Sequence, residues 1–174
     1  MTARNTSVAS SSAQAFDSPP TTAAEGLLSY LLLRAAKAHK SHASVLLRQI
    51  GLYPGQELLL MQLWHRDGQT QAELGRALQL DPSTVTRMVT RLEKQGIVSR
   101  AASPSDRRAV IISLMPPSEV LQPEVRRVWA ELEEVTIAGI PLQLRHHLME
   151  GLALVSAALG GAGSGAEFGG PPPH

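Results

Sequence analysis

Residues 70–112 contain two capped helical segments and two strand-like runs, and this arrangement constrains the fold more than any other feature. The stretch reads TQAELGRALQLDPSTVTRMVTRLEKQGIVSRAASPSDRRAVII. In its first part, Thr70 and Glu73 form a capping-box pattern, in which a hydroxyl serves a first-turn N–H and a carboxylate reaches back. The pattern predicts a short helix over 71–78 and a three-residue turn over 79–81.

The second helix of the pair has one apolar face and one polar face. Asp81 is a favoured N-cap, Pro82 suits the first helical position, and Gly96 ends the helix. Apolar residues at spacing i, i+3, i+4 and i+7 predict its buried face: Val85, Met88, Val89 and Leu92. Small hydroxyls and arginines face outward: Ser83, Thr84, Thr86, Arg87, Thr90 and Arg91. Taken alone, the segment also fits an ordinary amphipathic helix with a solvated face.

Two strands are predicted after this helix, over 97–102 and 109–114. The linker over 103–108 joins them and contains Asp106, Arg107 and Arg108. Helix, turn, helix and hairpin in this order are typical of a winged helix-turn-helix, which places one helix in the major groove of DNA and one loop beside it. For the linker, a surface turn with a local salt bridge is the alternative.

The exposed side chains of these elements have the chemistry that DNA contact needs. Small hydroxyls bond phosphates or base edges without bulk, and the arginine fork matches the O6 and N7 acceptors of guanine. A loop arginine can enter a narrow minor groove, and the free N–H groups at a helix N-terminus can hold a phosphate. The predicted DNA contacts are Ser83, Thr84, Thr86, Arg87, Arg91, Asp106, Arg107 and Arg108.

Helical periodicity predicts four further helices around this segment. They are expected over 22–49, 54–68, 124–138 and 141–159. The first is so rich in leucine that it is expected to be buried on more than one side and to pack against a partner chain. Prolines at 116, 117 and 123 are expected to interrupt the chain before the third of these helices, and Gly151, a residue that disfavours helix, lies inside the last.

Composition and charge narrow the class of protein. Apolar residues make up 43% of the chain, enough for a core, and cysteine is absent, which excludes disulfides, zinc–thiolate sites and thiol redox sensing. There is no long apolar run and no secretory signal, so we expect a cytoplasmic, nucleoid-associated bacterial protein. Residues 81–114 have a net charge of +3 and residues 115–150 a net charge of −3, so the basic charge coincides with the predicted DNA contacts.

The sequence resembles the MarR family (multiple antibiotic resistance regulators) of bacterial transcription factors. The resemblance rests on DPSTVTRMVTRLEKQGIVSR and SPSDRRAVIISL, preceded by TQAEL and LLLMQLW, and it extends over about 27–159. It implies a homodimer with interlocking terminal helices, and an Asp-x-Arg wing element at Asp106 and Arg108. The family usually has Leu-Thr and a glycine after the wing, whereas this chain has LMPPS, which implies a stiffer or redirected connection.

The fold class expected from these features is mainly α with a small β-hairpin wing, a winged helix-turn-helix with N- and C-terminal dimerisation helices. The expected organisation is a disordered tail over 1–21, a dimerisation helix over 22–53, the DNA-binding domain over 54–115, dimerisation helices over 116–159 and a disordered Gly- and Pro-rich tail over 160–174. The expected function is a dimeric repressor, released from a pseudopalindromic double-stranded operator by a small molecule.

Many proteins of this family bind a small effector, often an aromatic or phenolic acid, beside the DNA-binding lobe. The polar and aromatic candidates for that role are Tyr30, His39, His42, Tyr53, Trp64, Arg66 and Arg100. Ordinary packing or surface roles are the alternative for each of them.

Three other classes of protein are alternatives to a DNA-binding regulator. His39 and His42 share a helix face, which allows a metal-responsive regulator, although no cofactor or metal site is predicted. A winged-helix module that binds another protein is a second alternative. An enzyme is not expected, because the sequence has no phosphate-binding glycine loop, nucleophile elbow or HExxH motif.

Overall fold

The computed structural model describes residues 25–104 and 109–162 and is mainly helical, with one small antiparallel sheet. Its elements are α1 (Leu27–Gln49), α2 (Gln56–His65), β1 (Gln69–Thr70), α3 (Gln71–Leu78), α4 (Pro82–Lys94), β2 (Val98–Ala102), β3 (Val110–Leu114), α5 (Pro117–Ile137) and α6 (Leu142–Ala162). The predicted fold class is confirmed. In the described part of the chain, no helix is both long enough and apolar enough to cross a membrane.

The chain divides into two compact units, with the boundary after Val128 in α5. The core of the first unit is aliphatic, and helices α1 to α4 and the sheet all contribute to it. Fully or almost fully buried there are Leu47, Leu52, Leu59, Leu60, Leu63, Leu74, Val85, Val89, Leu92, Val98 and Ile112. The predicted inward face of α4 is thus confirmed at three positions, while Met88 is only half-buried.

The sheet has three strands in the order β1-β3-β2, and both pairings are antiparallel. β2 and β3 form the predicted hairpin, with Val98 opposite Leu114 and Ala102 opposite Val110. β1 pairs with β3 through only two residues, Gln69 and Thr70. This strand has no signal in the sequence, because two residues are too few to show an alternating pattern.

A close approach of α3 to α4 depends on Gly75. A Cβ atom placed there would lie 3.1 Å from the carbonyl oxygen of Leu80 and 3.6 Å from Cγ2 of Val85. The turn between the helices is tight, since Gln79 adopts a left-handed conformation with φ of 53°. Glycine at position 75 therefore lets the two helices of the helix-turn-helix pack directly against each other.

The predicted burial of α1 on more than one side, partly against a partner chain, stays a prediction, because the structure contains a single copy of the chain. Only Ala43, Leu46 and Leu47 are buried, whereas Leu28 is 71% exposed and Leu33 is 68% exposed. The apolar stripe is present, but no residue in 25–104 or 109–162 of the same copy covers its N-terminal half. The helix begins at Leu27, and its predicted first residues, 22–24, lie outside the described residues.

Helix α2 begins at Gln56, two residues later than predicted. Gly55 has a φ of 96°, so the chain turns there and cannot yet be helical. Side chains of the first helical turn fold back onto this corner: Gln56 Oε1 accepts from the Tyr53 N–H at 2.9 Å, and Glu57 Oε2 accepts from the Gly55 N–H at 2.7 Å. Glu57 is buried, and this burial raises the pKa of its carboxyl.

Helix α5 begins at Pro117, seven residues before the predicted start, and continues through Pro123. Pro117 occupies the first turn, where its missing N–H is not needed. Pro123 and Glu119, four residues earlier, are both exposed, so water can bond the carbonyl that the proline leaves free. The connection after the wing is thus two residues long, and the proline-rich segment starts the helix where we had expected an interruption.

The second unit consists of the end of α5 and α6. Arg145 Nε donates to the carbonyl of Ile140 at 3.0 Å, and Nη2 donates to that of Ile137 at 3.3 Å, which satisfies carbonyls at the end of α5. α6 continues through Gly151 to Ala162, so the first residues of the predicted C-terminal tail are helical. The rest of that tail, and the predicted N-terminal tail, lie outside the described residues.

Replacing Glu73 with glutamine is expected to destabilise the protein near neutral pH but not in acid. A hydrogen bond from the Thr70 N–H, assisted by the Thr70 hydroxyl and Arg66, lowers the pKa of Glu73 to about 2 from 4.5. Because this pKa is lower in the folded state than in the unfolded state, the carboxylate stabilises the fold above pH 4.5, and this contribution is lost as the pH falls towards 2.

Urea unfolding of the wild type and of Glu73→Gln at about pH 7, 5 and 3 measures this difference. Glu133→Gln, which removes an exposed carboxylate of α5, is the control. A difference between wild type and Glu73→Gln that stays constant across this pH range would contradict the expectation.

Candidate nucleic-acid interface

The rotation of α4 about its axis decides which of its side chains are presented to solvent. Val85, Val89 and Leu92 have no exposed surface. On a helix with 3.6 residues per turn, the opposite side is then centred on Ser83, Arg87 and Lys94, all three of which are exposed. The outward position predicted for the polar residues of this helix agrees with the structure.

Asp81 organises the N-terminus of α4. Its carboxylate accepts from the Thr84 N–H at 2.9 Å and from the hydroxyls of Ser83 and Thr84. The Ser83 hydroxyl, with the two Thr84 donors, holds the pKa of Asp81 well below its usual range. The donors that the sequence analysis assigned to a phosphate are therefore bonded to Asp81 in the free protein, although Ser83 itself is exposed.

One edge of the exposed face of α4 is in contact with β2. Arg100 Nη2 donates to Thr90 Oγ1 at 2.5 Å and to the carbonyl of Thr86 at 3.3 Å. The same guanidinium forms an ion pair with Glu93, with Nε 3.4 Å from Oε2. Thr86, a predicted DNA contact, also donates its hydroxyl to the carbonyl of Pro82 at 2.8 Å.

The other edge of that face is in contact with the connection between α1 and α2. The guanidinium carbon of Arg91 lies 4.1 Å from the centre of the Tyr53 ring, within the range of a cation–π interaction. Gln95 Nε2 donates to the carbonyl of Gly51 at 3.2 Å. A surface cavity of about 480 Å³ lies here, and its lining includes Tyr53, Gln56, Thr86, Arg87, Arg91 and Lys94.

A larger groove, of about 990 Å³, lies between α3 and the base of the hairpin. Arg76 and Gln79 of the helix-turn-helix line one side, and Ser103, Ala109 and Val110 line the other. Arg76 is exposed and is absent from the DNA contacts predicted from the sequence, which all lie from position 83 onward. Its exposure could have been predicted from the helical repeat of α3, because it lies opposite the apolar Leu74.

The base of the wing is closed by a hydrogen bond from the Ser103 N–H to the carbonyl of Ala109, at 2.9 Å. This bond joins the two ends of the segment to which Asp106, Arg107 and Arg108 belong in the sequence. Those three predicted DNA contacts lie outside the described residues, so their role stays a prediction. The structure places the ends of the loop at the groove beside α3.

The seven predicted effector contacts occupy separate places in the structure. Tyr53 and Trp64 line different cavities, and Trp64 Nε1 is buried without a hydrogen-bond partner. Arg66 bonds Glu73 at 2.9 Å, and Arg100 bonds α4. The remaining three, Tyr30, His39 and His42, are on α1. The guanidinium carbon of Arg34 lies 5.8 Å from the centre of the Tyr30 ring, and both histidines are exposed. Their effector role stays a prediction.

Within residues 25–104 and 109–162, no group of three or more histidine, aspartate or glutamate side chains is arranged to hold a metal ion. His39 and His42 share a face of α1 without such a third ligand in that part of the chain. The structure therefore offers no support for the metal-responsive alternative.

Comparison with known proteins gives consistent matches to one family. A model described as the MarR family matches residues 52–110. The organic hydroperoxide resistance transcriptional regulator of Bacillus subtilis is 30% identical over 135 residues, which cover 78% of this chain and 86% of the relative. The HTH-type transcriptional regulator TtmR of Methylorubrum extorquens is 32% identical over 127 residues, which cover 72% of this chain and 64% of that relative.

Solved structures agree with these matches. A probable transcriptional regulator from Pseudomonas aeruginosa has a TM-score of 0.68 at 27% identity and covers 74% of this chain and 96% of its own. BpsR of Bordetella bronchiseptica, whose DNA binding 6-hydroxynicotinic acid regulates, has a TM-score of 0.69 at 22% identity, over 75% of this chain and 98% of its own; this second likeness shows the fold alone.

The fold, the residues of the helix-turn-helix and these relatives lead to the same conclusion. MarR-family proteins are DNA-binding transcription regulators, so the prediction of a non-enzymatic protein is confirmed. The chain belongs to the MarR family of winged-helix transcriptional regulators.

Proposed function

We propose that this regulator is a dimeric repressor that binds a pseudopalindromic operator and is released from it by a small molecule. The observation that carries the proposal is the exposed face of α4, where Arg87, Arg91 and Lys94 recur at i, i+4 and i+7 opposite a fully buried aliphatic face. A helix anchored in this way can enter a major groove with three cations towards the DNA. Such a protein acts at the nucleoid, in the cytoplasm.

Arg87 has the best geometry for reading a base. It lies at the centre of the exposed face. Within the described part of the chain its guanidinium bonds only the Thr84 hydroxyl, from Nη2 at 3.1 Å, which leaves most of its donors available. Arg91 is stacked on Tyr53, so it is better placed for a phosphate beside the groove. Ser83 and Thr84 would exchange Asp81 for phosphate when DNA binds, and the wing residues Asp106, Arg107 and Arg108 would contact the adjacent minor groove.

A second copy of the chain is the partner that the exposed apolar surfaces require. In α6, Leu144, Leu148, Leu152 and Leu159 recur on one face, each between 43% and 65% exposed. A similar leucine-rich surface is exposed at the start of α1. Contiguous apolar surface of this kind is uncommon on monomers. In a symmetric dimer, two recognition helices about 34 Å apart would meet successive major grooves.

The small-molecule effector is supported by a cavity beside Trp64. This cavity of about 330 Å³ lies between the end of α2 and the start of α5, and its lining includes Asp67, Leu114, Glu119 and Gln122. Asp67 Oδ1 accepts from the Leu114 N–H at 3.0 Å, so the cavity adjoins the end of the wing strand. The effect of 6-hydroxynicotinic acid on BpsR supports an organic effector, and the absence of cysteine excludes thiol oxidation as the signal.

Gel-shift titration of the full chain against DNA from its own promoter region, at several salt concentrations, tests the proposed function. We expect binding that weakens steeply with salt, because each neutralised phosphate releases counterions. Salt-insensitive binding, or none, would contradict it and would favour the winged-helix module that binds another protein.

Arg107→Ala and Arg108→Ala are each expected to weaken binding to a promoter duplex about tenfold without unfolding the protein. Each change removes a cation from the wing, where the minor-groove potential attracts it most. Fluorescence anisotropy gives the affinity, and circular dichroism verifies the fold. Arg126→Ala, on the exposed side of α5, is the charge-matched control. If both wing variants bind like the wild type, the wing assignment is wrong.

Arg87→Ala is expected to change base preference more than Arg91→Ala does. A bidentate arginine–guanine contact contributes about 1–3 kcal/mol of discrimination, whereas a phosphate contact contributes to all sequences alike. Enrichment of duplexes from a random pool, repeated with wild type and both variants, measures the base frequencies. Equal loss of preference in the two variants, or a larger loss with Arg91→Ala, is the result that contradicts the assignment.

The double variant Leu148→Glu and Leu152→Glu is expected to be monomeric and to lose operator binding. Two carboxylates on the apolar face of α6 would have to be desolvated in a dimer, which costs far more than the lost leucine contacts. Sedimentation velocity measures the mass. Gln143→Glu, on the opposite side of the same helix, is the control and should stay dimeric. A double variant that sediments as a dimer would exclude this face from the interface.

A further inference from the structure

Arg100 connects the first strand of the wing to three residues of α4. Its Nη2 bonds the Thr90 hydroxyl and the Thr86 carbonyl, and its Nε lies 3.4 Å from Glu93 Oε2. Thr86, Thr90 and Glu93 are at i, i+4 and i+7, so they form one stripe along the edge of the exposed face. The contact therefore covers about two turns of the helix and not a single point.

The strand geometry directs Arg100 towards the helix. Val98 and Arg100 are two residues apart in β2, so their side chains share a face of the sheet, and Val98 is buried. In the register of the hairpin, Arg100 lies opposite Ile112, which is also buried. The side chain of Arg100 is only 28% exposed. The guanidinium thus lies at the margin of the core and is turned to α4 rather than to solvent.

The Thr90 hydroxyl closes this contact because it both donates and accepts. It donates to the Thr86 carbonyl at 2.8 Å and accepts from Arg100 Nη2. Arg100 Nη2, Thr90 Oγ1 and the Thr86 carbonyl oxygen therefore form a closed triangle of hydrogen bonds. Valine has the same shape as threonine but neither function, so Thr90→Val removes the triangle with little change in volume.

We propose that Arg100 is a positioning residue for DNA reading, which sets the orientation of α4 relative to the wing and makes no contact with DNA itself. The inference rests on the proposed function, since it concerns how the same interface discriminates among sequences. It gives Arg100 a role different from the effector contact that the sequence suggested.

The physical basis is a difference in range between the two kinds of DNA contact. A base-reading fork such as that of Arg87 has to lie within hydrogen-bond distance of the guanine acceptors, so a small rotation of α4 breaks it. Attraction to phosphates acts over several ångströms and tolerates the same rotation. Loss of the contact made by Arg100 should therefore reduce specificity and leave non-specific affinity intact.

The test uses the full chain and two duplexes of about 30 base pairs, long enough for two half-sites one helical turn apart. One is the duplex that the wild type enriches most strongly from a random pool, and the other is a shuffled version of it. Fluorescence anisotropy at several salt concentrations gives both affinities and the salt dependence for the wild type, Arg100→Met, Thr90→Val and the double variant. Arg126→Met is the matched control, because it removes an exposed arginine of α5.

For Arg100→Met we expect the ratio of the two affinities to fall about tenfold, as the loss of charge-assisted hydrogen bonds implies. The affinity for the shuffled duplex and the salt slope should stay as in the wild type. Thr90→Val should reproduce much of the loss, and the double variant should lose no more than Arg100→Met, because the two side chains act through one contact. Hydrogen exchange of the free variants should be faster in α4 and unchanged in α2.

Three results would overturn the inference. The first is an unchanged affinity ratio in Arg100→Met. The second is an equal loss on both duplexes with a salt slope lower by about 0.9, which would make Arg100 a phosphate contact. The third is additive losses in the double variant, which would show that Arg100 and Thr90 act separately.

The outcomes also separate this inference from the proposed function. If the wild type enriches no duplex, the proposed function is contradicted and the inference falls with it. If the wild type discriminates and Arg100→Met discriminates equally well, only the inference is contradicted. Should Arg100→Met fail to fold, Thr90→Val decides the matter alone, because it is isosteric and keeps the arginine.

Discussion

The complete burial of Val85, Val89 and Leu92 sets the rotation of α4, and the surface that we propose for DNA contact depends on that rotation. Burying each such side chain contributes about 1.5–3 kcal/mol to the stability of the fold. Turning the helix by even a quarter of a turn would expose part of this apolar surface and cost several kcal/mol. Polar bonds at the margins could not offset that cost. Arg87 and Lys94 therefore face solvent because the opposite side of the helix is anchored, and not because of any interaction of their own.

Contacts at the two edges and at the N-terminus narrow the surface that is left for DNA. Arg100 occupies one edge of α4, Tyr53 and Gln95 the other, and Asp81 bonds the first-turn donors. The edge formed by Tyr53 belongs to the connection that follows α1. The recognition helix is thus in direct contact with the wing strand on one side and with the end of the first helix on the other.

One copy of the chain leaves much of its apolar surface uncovered. The aliphatic core of the first unit is complete, but α6 exposes leucines on more than one side, including Leu142 at 77% and Leu154 at 73%. Soluble monomers rarely expose a helix with this much apolar surface. The exposed apolar face of α6 contributes little to the core of one chain but could be buried in a dimer, which agrees with the interface we propose.

The sequence by itself determined the elements whose signals are local. The bounds of α3 and α4 follow from Thr70, Glu73 and Asp81, whose side chains bond the adjacent backbone, and from Pro82 in the first helical position. The hairpin follows from the two strand-like runs on either side of its linker. Only the tertiary structure decided the start of α5, the pairing of β1 and the contacts of Arg100, whose acceptors are 10 and 14 residues away. Caps act within one turn of a helix, so they can be predicted from neighbouring residues. The partners of the Arg100 guanidinium are distant in sequence and come within hydrogen-bond distance only when the sheet packs against α4.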